Sequence, residues 1–328
     1  MLKVLYAAGN NQNARIQLQR FLKAIEGKPY QIKIAAYKQS SPQGINVDWT
    51  LDCLCNMFKP EHILLEDNDN LQTYYQQVKY FNPDLVISDL EYYTSYIANL
   101  LDVTLWQCSS SIINFALTTK QKYNLGLFKR HAYTLNKSSR HNQRSINVLD
   151  NSNWNGVYSH FGDSRLPPTL KEGYEWVRPY HEVGKSTVPC QHNMVAGLLK
   201  NNKKILAALQ RNFDSVAFTN FPHERYQNLL LKSLSNQEEY FCNLQGCNLF
   251  VCEGQTSFLA DAFYNGKYSA IFTDVKDMEC IINSEVSSHL KLSSCVYYPG
   301  DLKQLVVPII TPTYSPDIRY LHEKLEEI

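Results

Sequence analysis

The stretch "NLFVCEGQTSFLADAFYNGKYSAIFTDVKDMECIIN", Asn248 to Asn283, holds the densest set of residues that could do chemistry. It reads as a strand, a tight glycine turn, a helix and a second strand. "NLFV" is a continuous apolar run, as expected of a parallel strand buried on both faces. Gly254 permits a sharp turn and a close approach of backbone amides to a ligand. Thr256 and Ser257 are placed to cap the next helix and to add hydroxyl donors. A helix start with free N–H groups is an anion site, and phosphate is its usual guest. Asp261, one to two turns further, is placed to accept hydrogen bonds from a sugar diol. Asp277, Glu279 and Asn283 follow the second strand, where ligands meet an α/β sheet. Such a turn alone is common, and an aspartate on a helix is often a solvated face residue. The combination carries the reading.

Elements that could position these groups run along the whole chain. "LKVLYAAG" reads as a buried strand ending at Gly9, followed by the amphipathic helix "ARIQLQRFLKAIEG". "YQIKIAAY" is the next strand. "LQTYYQQVKYFNPDLVISD" gives a helix, a proline-marked turn and a strand that meets acid at Asp89. "EYYTSYIANLLDVTLWQC" repeats helix then strand. This rhythm calls for a parallel sheet with helices on both faces. Residues 118–176 break it with polar, basic and proline-rich segments. A second α/β pattern then resumes with "MVAGLLKNNKKILAALQRNF", read as one helix, and the strands "SVAFTNF" and "NLLLKSL". "SPDIRYLHEKLEEI" is a proline-started helix at the end. "VGKS" lacks the earlier glycine and the strand of a P-loop.

At 328 residues, with 44% apolar and 19% charged residues, the chain is expected to form two domains. A formal net charge of +1 argues against a protein that grips nucleic acid or anionic membrane over its whole surface. Nine scattered cysteines fit buried thiols in a reducing compartment better than a disulfide framework. The even spacing of Cys242, Cys247 and Cys252 lacks the tight pairs and fourth ligand of a zinc site. "EDNDN", Glu66 to Asn70, reads as a turn and cap rather than a metal motif. No apolar run reaches the length of a membrane helix and no leader is apparent at the start, so a cytoplasmic location is expected, with peripheral membrane association open.

"NLFVCEGQTSFLADAFYNGK" resembles the nucleotide-sugar loop of two-domain GT-B glycosyltransferases, in particular the UDP-glycosyltransferase and MurG-like branch. Gly254 and Thr256 match the branch's His-Gly-Gly-Thr, and Asp261 stands at its ribose-binding acid, with Ala262 and Gly266-Lys267 in register. "ECIIN" is similar to its acid-Gln-x-x-Asn, which nominates Glu279 and Asn283 for the donor sugar. "NPDLVISD" resembles the strand that precedes the acid of the first domain. The departures are Glu253 for the usual His, Gln255 for the second Gly, Tyr268 for a Pro, and Asn13 where a catalytic His is expected. A carboxylate at 253 must turn away from a diphosphate or pair with a cation.

The resemblance implies two Rossmann-like doubly wound domains facing a cleft: residues 1–176 for the acceptor, 177–313 for the donor, and a helix over 314–328 crossing back to the first domain. Glu253, Gly254, Gln255, Thr256 and Ser257 would hold the diphosphate, Asp261 the ribose, and Glu279 with Asn283 the sugar. Gly9, Asn10, Asn11 and Asn13 form a loop for phosphate or acceptor. Because Asn13 cannot remove a proton, Asp89 or Glu91 is the expected base. Metal-independent, inverting transfer from a UDP-sugar is the expected reaction, with the nucleotide sugar as co-substrate and no further cofactor. A basic insert at about 118–150, holding Lys120, Lys122, Lys129, Arg130, Lys137, Arg140 and Arg144, would suit an anionic acceptor: a glycan, a lipid-linked group or DNA. Alternatives are a GT-B-shaped binding protein without catalysis, and a nucleotide-sugar epimerase.

Overall fold

A computed structural model describes the chain except residues 43, 55–67, 130, 132–133, 135–142, 180–191, 212–213, 221–228, 274–275, 297, 299–300, 303–304, 306, 308–323 and 327–328. Two parallel sheets organise it. The first has seven strands: β1 (Lys3–Ala7), β2 (Gln31–Ala36), β3 (Trp49–Thr50), β4 (Leu85–Ser88), β5 (Thr104–Ser109), β6 (Trp154–Tyr158) and β7 (Tyr174–Val177), in spatial order 3-2-1-4-5-6-7. Its helices are α1 (Gln12–Ala24), α2 (Asp69–Phe81), α3 (Tyr92–Leu100), α4 (Ile113–Ala116), α5 (Thr119–Asn124) and α6 (Gln143–Asp150). The second sheet has six strands: β8 (Met194–Leu198), β9 (Ser215–Thr219), β10 (Leu230–Ser233), β11 (Leu249–Cys252), β12 (Ser269–Ile271) and β13 (Ser293–Cys295), in the order 10-9-8-11-12-13. With it go α7 (Lys203–Gln210), α8 (Gln237–Gly246), α9 (Thr256–Tyr264) and α10 (Met278–His289).

Side chains alternate across a strand, so a strand covered on both faces must be apolar throughout. In β1, Val4 and Tyr6 pack with Leu18 and Phe21 of α1, whereas Leu5 and Ala7 face Leu71 and Val78 of α2 and Ile97 of α3. In β11, Phe250 and Cys252 face Tyr240 of α8 and Phe258 of α9, whereas Leu249 and Val251 face Ile205 and Leu209 of α7. The strand order reverses between β1 and β4 in one sheet and between β8 and β11 in the other. Those are the points where loops diverge and a ligand crevice opens beyond the carboxyl ends.

Two elements differ from the sequence reading. "MVAGLL" is not the start of a helix: Met194–Leu198 is the central strand β8, and the helix begins only at Lys203 behind the Asn202 cap. A short apolar run has no periodicity that separates a buried strand from a buried helix. Gly197 belongs in the strand because a Cβ there would lie 2.7 Å from the Phe258 ring. The irregular region after residue 118 also contributes two strands, β6 and β7, that extend the first sheet. "WNGVY" and "YEWV" are short and polar-interrupted, and only the pairing of the first with β5 and of the second with the first defines them. As expected, Asn68 caps α2, accepting from the Leu71 N–H at 2.9 Å. The connector 180–191 lies outside the described residues, as does most of the expected terminal helix; near the end of that expected helix Leu325 packs into the first domain's core, and Lys28 donates to Glu326 at 2.6 Å.

Phe250 is fully buried between Tyr240 and Phe258, with ring centroids 6.5 and 6.2 Å away. Phe250→Ala is expected to cost the second domain about 3–5 kcal/mol in urea unfolding; a loss below about 1 kcal/mol would contradict this packing.

Candidate active site at the domain seam

In the second domain the site begins at Gly254, whose φ of +99° and contact distance of 2.9 Å from a hypothetical Cβ to the Cys280 carbonyl oxygen exclude a side chain. Gln255 is the N-cap of α9 and makes no side-chain cap bond. Thr256 and Ser257 therefore do not cap the helix, as the sequence suggested. They stand in its first turn and donate elsewhere: Thr256 Oγ1 to Glu279 Oε1 at 3.0 Å, Ser257 Oγ to Asn13 Oδ1 at 2.5 Å. Asn283 Nδ2 donates to Thr256 Oγ1 at 2.9 Å and to the Gly254 carbonyl at 3.0 Å. Glu253 turns away from the helix start, accepting from Asn202 Nδ2 at 2.8 Å and Gln255 Nε2 at 3.0 Å. Asp277 caps α10 and so fixes Glu279 in that helix's first turn.

In the first domain Gly9 follows β1, Asn11 caps α1 by accepting from the Ala14 N–H, and Asn13 is buried in the first turn. Asn10 stays exposed beside Gln39. Asp89 follows β4 and presses on Gly9, whose Cβ would sit 2.5 Å from the Asp89 carbonyl oxygen. Burial raises the Asp89 carboxyl from 3.8 to about 7; the Ser109 hydroxyl and the Gly9 N–H pull it down, and the Glu279 charge pushes it up. Its Oδ2 has no hydrogen-bond partner among the described residues. Glu91 is placed differently. It caps α3, accepting from the N–H groups of Tyr93 at 3.1 Å and Thr94 at 2.6 Å and from the Tyr37 hydroxyl at 2.8 Å. The cap of α3 is thus Glu91, and Asp89 is the freer carboxylate.

The two switch points meet. Asn13 Nδ2 donates to Glu279 Oε1 at 3.1 Å and to Ser110 Oγ at 2.8 Å, and Ser111 Oγ donates to Glu279 Oε2 at 2.9 Å. Burial, followed by the Asp277 charge, holds the Glu279 carboxyl above its ordinary value. Arg20 Nη2 reaches both oxygens of Asp261, at 2.8 and 2.7 Å, and Tyr240 Oη adds a bond at 3.1 Å. Burial opposes the Arg20 charge most strongly, but the charge and hydrogen bond of Asp261, with Tyr158 and Tyr240, together raise the guanidinium above its ordinary value. Asp261 is fully buried, not a solvated face residue.

Arg20, Ser110, Ser111 and Tyr240 were not visible as site residues in the sequence. A signal for Arg20 existed. Asn13, Gln17 and Arg20 fall at i, i+4 and i+7, a polar stripe on one face of α1, and all three are buried. Beside the Arg20–Asp261 pair lies a cavity of about 330 Å³, lined by Arg15 and Gln19 of α1 and by Ser233, Ser235, Gln237 and Tyr240 of the second domain.

The basic insert is only partly described. Lys120 and Lys129 are exposed, and Arg144 lies in α6. Lys122 is half-buried against the Asn114 carbonyl, and burial beside Lys171 lowers it to about 8. His131, in the same insert, has its Nε2 3.1 Å from Glu285 Oε1. Arg130, Lys137 and Arg140 lie outside the described residues. Among the described residues no helix is long and apolar enough to cross a membrane.

No family model and no curated protein matches the chain. Solved structures do. Spinosyn forosaminyltransferase SpnP superposes with a TM-score of 0.56 at 14% identity, covering 92% of this chain and 88% of its own. Spinosyn rhamnosyltransferase SpnG complexed with thymidine diphosphate gives 0.52 at 10%, covering 93% and 89%. A Listeria monocytogenes protein assigned as a UDP-N-acetylglucosamine 2-epimerase gives 0.51 at 10%, covering 92% and 86%. The chain has the GT-B fold of these glycosyltransferases: two parallel-sheet α/β domains with their switch points facing.

Two outcomes follow from the seam. Arg20→Ala leaves the Asp261 carboxylate buried and uncompensated, and should cost about 3–5 kcal/mol in denaturant unfolding. Because the folded Asp89 carboxyl is raised from 3.8 to about 7, its contribution is full below about pH 4 and is lost as pH rises toward 7. The stability difference between wild type and Asp89→Asn should therefore shift in the variant's favour across that window, by up to roughly 1.4 kcal/mol per pH unit; thermal melts at each pH read it.

Proposed function

We propose that the protein is a glycosyltransferase that binds a nucleoside diphosphate sugar in the second domain and passes the sugar to an acceptor held by the first. The observation that carries this reading is the meeting of the two switch points over the start of α9, where Thr256 already holds a carboxylate through its amide and its hydroxyl. In this reading that turn holds the diphosphate through its amides and hydroxyls. Charge on the departing diphosphate is stabilised by the start of α9, a fixed dipole that needs no reorganisation. The cavity beside Asp261 takes the nucleoside. Asp261 keeps Arg20 and accepts from the ribose on its remaining side. Asn283 and, once moved off the turn, Glu279 face the sugar.

Asp89 is the base. A buried carboxyl near pH 7 with one unpartnered oxygen is matched to removing a hydroxyl proton at neutral pH. Asn13, in the first turn of α1, donates to Ser110 and Glu279 and takes no proton. Thymidine diphosphate, bound by SpnG, and UDP are both probes for the donor. The reading requires no cofactor beyond the nucleotide sugar. The acceptor is taken to be anionic and to meet the basic insert.

Closure of the seam supports one other reading, a GT-B-shaped binding protein without turnover. Thermal stabilisation by a panel of nucleoside diphosphates and nucleotide sugars separates them. A ligand at one hundred times its Kd should add roughly 2.7 kcal/mol. A selective shift, abolished in Asp261→Asn and followed by hydrolysis or transfer that drops about 100-fold or more in Asp89→Asn, supports the transferase. A shift without turnover supports the binding protein, and no shift with any nucleotide overturns both.

A further inference from the structure

The anion site of the second domain is filled by the protein itself. Glu279 Oε1 lies 3.4 Å from the Thr256 amide nitrogen and 3.0 Å from Thr256 Oγ1, at the start of α9, where a ligand phosphate would accept the same bonds. The first domain closes over this carboxylate from the other side, through Asn13 Nδ2 at 3.1 Å and Ser111 Oγ at 2.9 Å. Four donors from two domains therefore converge on one buried carboxylate, and no ion pair with it occurs among the described residues. Hydroxyls and amides that converge without a cation are the donor set of a phosphate cradle rather than of a structural salt bridge.

Around it stand acceptors that the closed form leaves unused: Asn283 Oδ1, Gln255 Oε1 and Asp89 Oδ2 have no hydrogen-bond partner among the described residues, and their side chains are buried. Asn283 is fixed over the turn through Gly254 and Thr256. Buried acceptors without donors are costly. Ligand hydroxyls would satisfy them, which points to a polyol attached to the anion.

Building on the donor reading above, we propose that Glu279 is a tethered stand-in for the diphosphate, so that the nucleotide sugar binds only by displacing this carboxylate and parting the two domains. Displacement frees Thr256, Asn13 and Ser111 together, because all three converge on Glu279. It also ties ligand occupancy to domain opening, since the same carboxylate is one of the bridges between the start of α9 and the first domain. If Glu279 instead served only the sugar, removing its charge would leave the binding of a bare diphosphate unchanged.

Glu279→Gln removes the charge and keeps the shape; Ser111 can accept from the new amide where it had donated. Calorimetric Kd values for inorganic pyrophosphate, UDP and thymidine diphosphate, on wild type and Glu279→Gln, decide the matter. The expected result is binding about tenfold or more tighter in the variant for all three, with a larger radius of gyration on binding in small-angle scattering. Ser111→Ala, which loosens the clasp without touching Glu279, should move affinity the same way by less, and guards against a folding defect in the first variant. Equal or weaker pyrophosphate binding in both variants overturns the proposal. Pyrophosphate tightening without any nucleotide binding keeps the stand-in and sinks the donor reading. Nucleotide binding that is equal in all proteins does the reverse. No binding of any probe to any protein overturns both.

Discussion

A guanidinium and a carboxylate share a buried place at the junction of the two domains, and the rest of the seam is arranged around them. Arg20 comes from the first domain and Asp261 from the second, and neither ion could be left there alone. Taking both out of water costs several kcal/mol each, which their attraction offsets only when geometry and further bonds are good. Here one nitrogen reaches both carboxylate oxygens and Tyr240 adds a third bond. Such a pair contributes little net stability, but it makes orientation unforgiving. A small rotation of one domain against the other would strand two charges. The pair therefore sets the register in which Asn13 faces Ser257 and Glu279 faces Ser111.

That register brings uncompensated acid together. Asp89 and Glu279 are buried carboxyls without a cationic partner among the described residues, and each is held above its ordinary titration range chiefly by burial. The first domain contributes through α1: its polar stripe of Asn13, Gln17 and Arg20 replaces what would otherwise be an apolar helix face. Polar contacts at a seam can be exchanged for contacts with a polar ligand, whereas an apolar seam would have to be exposed to water when it opened. The composition of the interface suits a joint that opens.

The proposal that Asp89 rather than Glu91 is the base rests on the same accounting of partners. Glu91 has its oxygens committed to the start of α3, so it belongs to the scaffold. Asp89 is bound less completely and stands at the switch point. Two carboxylates two residues apart in the chain thus acquire different roles from their surroundings.

Apolar runs between helical patterns determined the β-α-β-α character of most of both halves, because a strand covered on both faces has to be apolar throughout, as Val4 to Ala8 and Leu249 to Cys252 are. The glycine turn at 254 and the acids at 89, 261 and 279 were legible as well, since backbone approach and charge are properties of single residues. Tertiary structure decided the rest. "MVAGLL" is a strand because β9 and β11 flank it, and "WNGVY" is one because β5 does. Hydrogen-bond partners between chain neighbours have to come from elsewhere in space. The roles of the acids were decided in the same way. Arg20 lies 241 positions from Asp261 and Asn13 lies 266 from Glu279, so no local pattern links them. What each carboxylate does depends on burial and on which donors reach it, and those are set only when the two domains close.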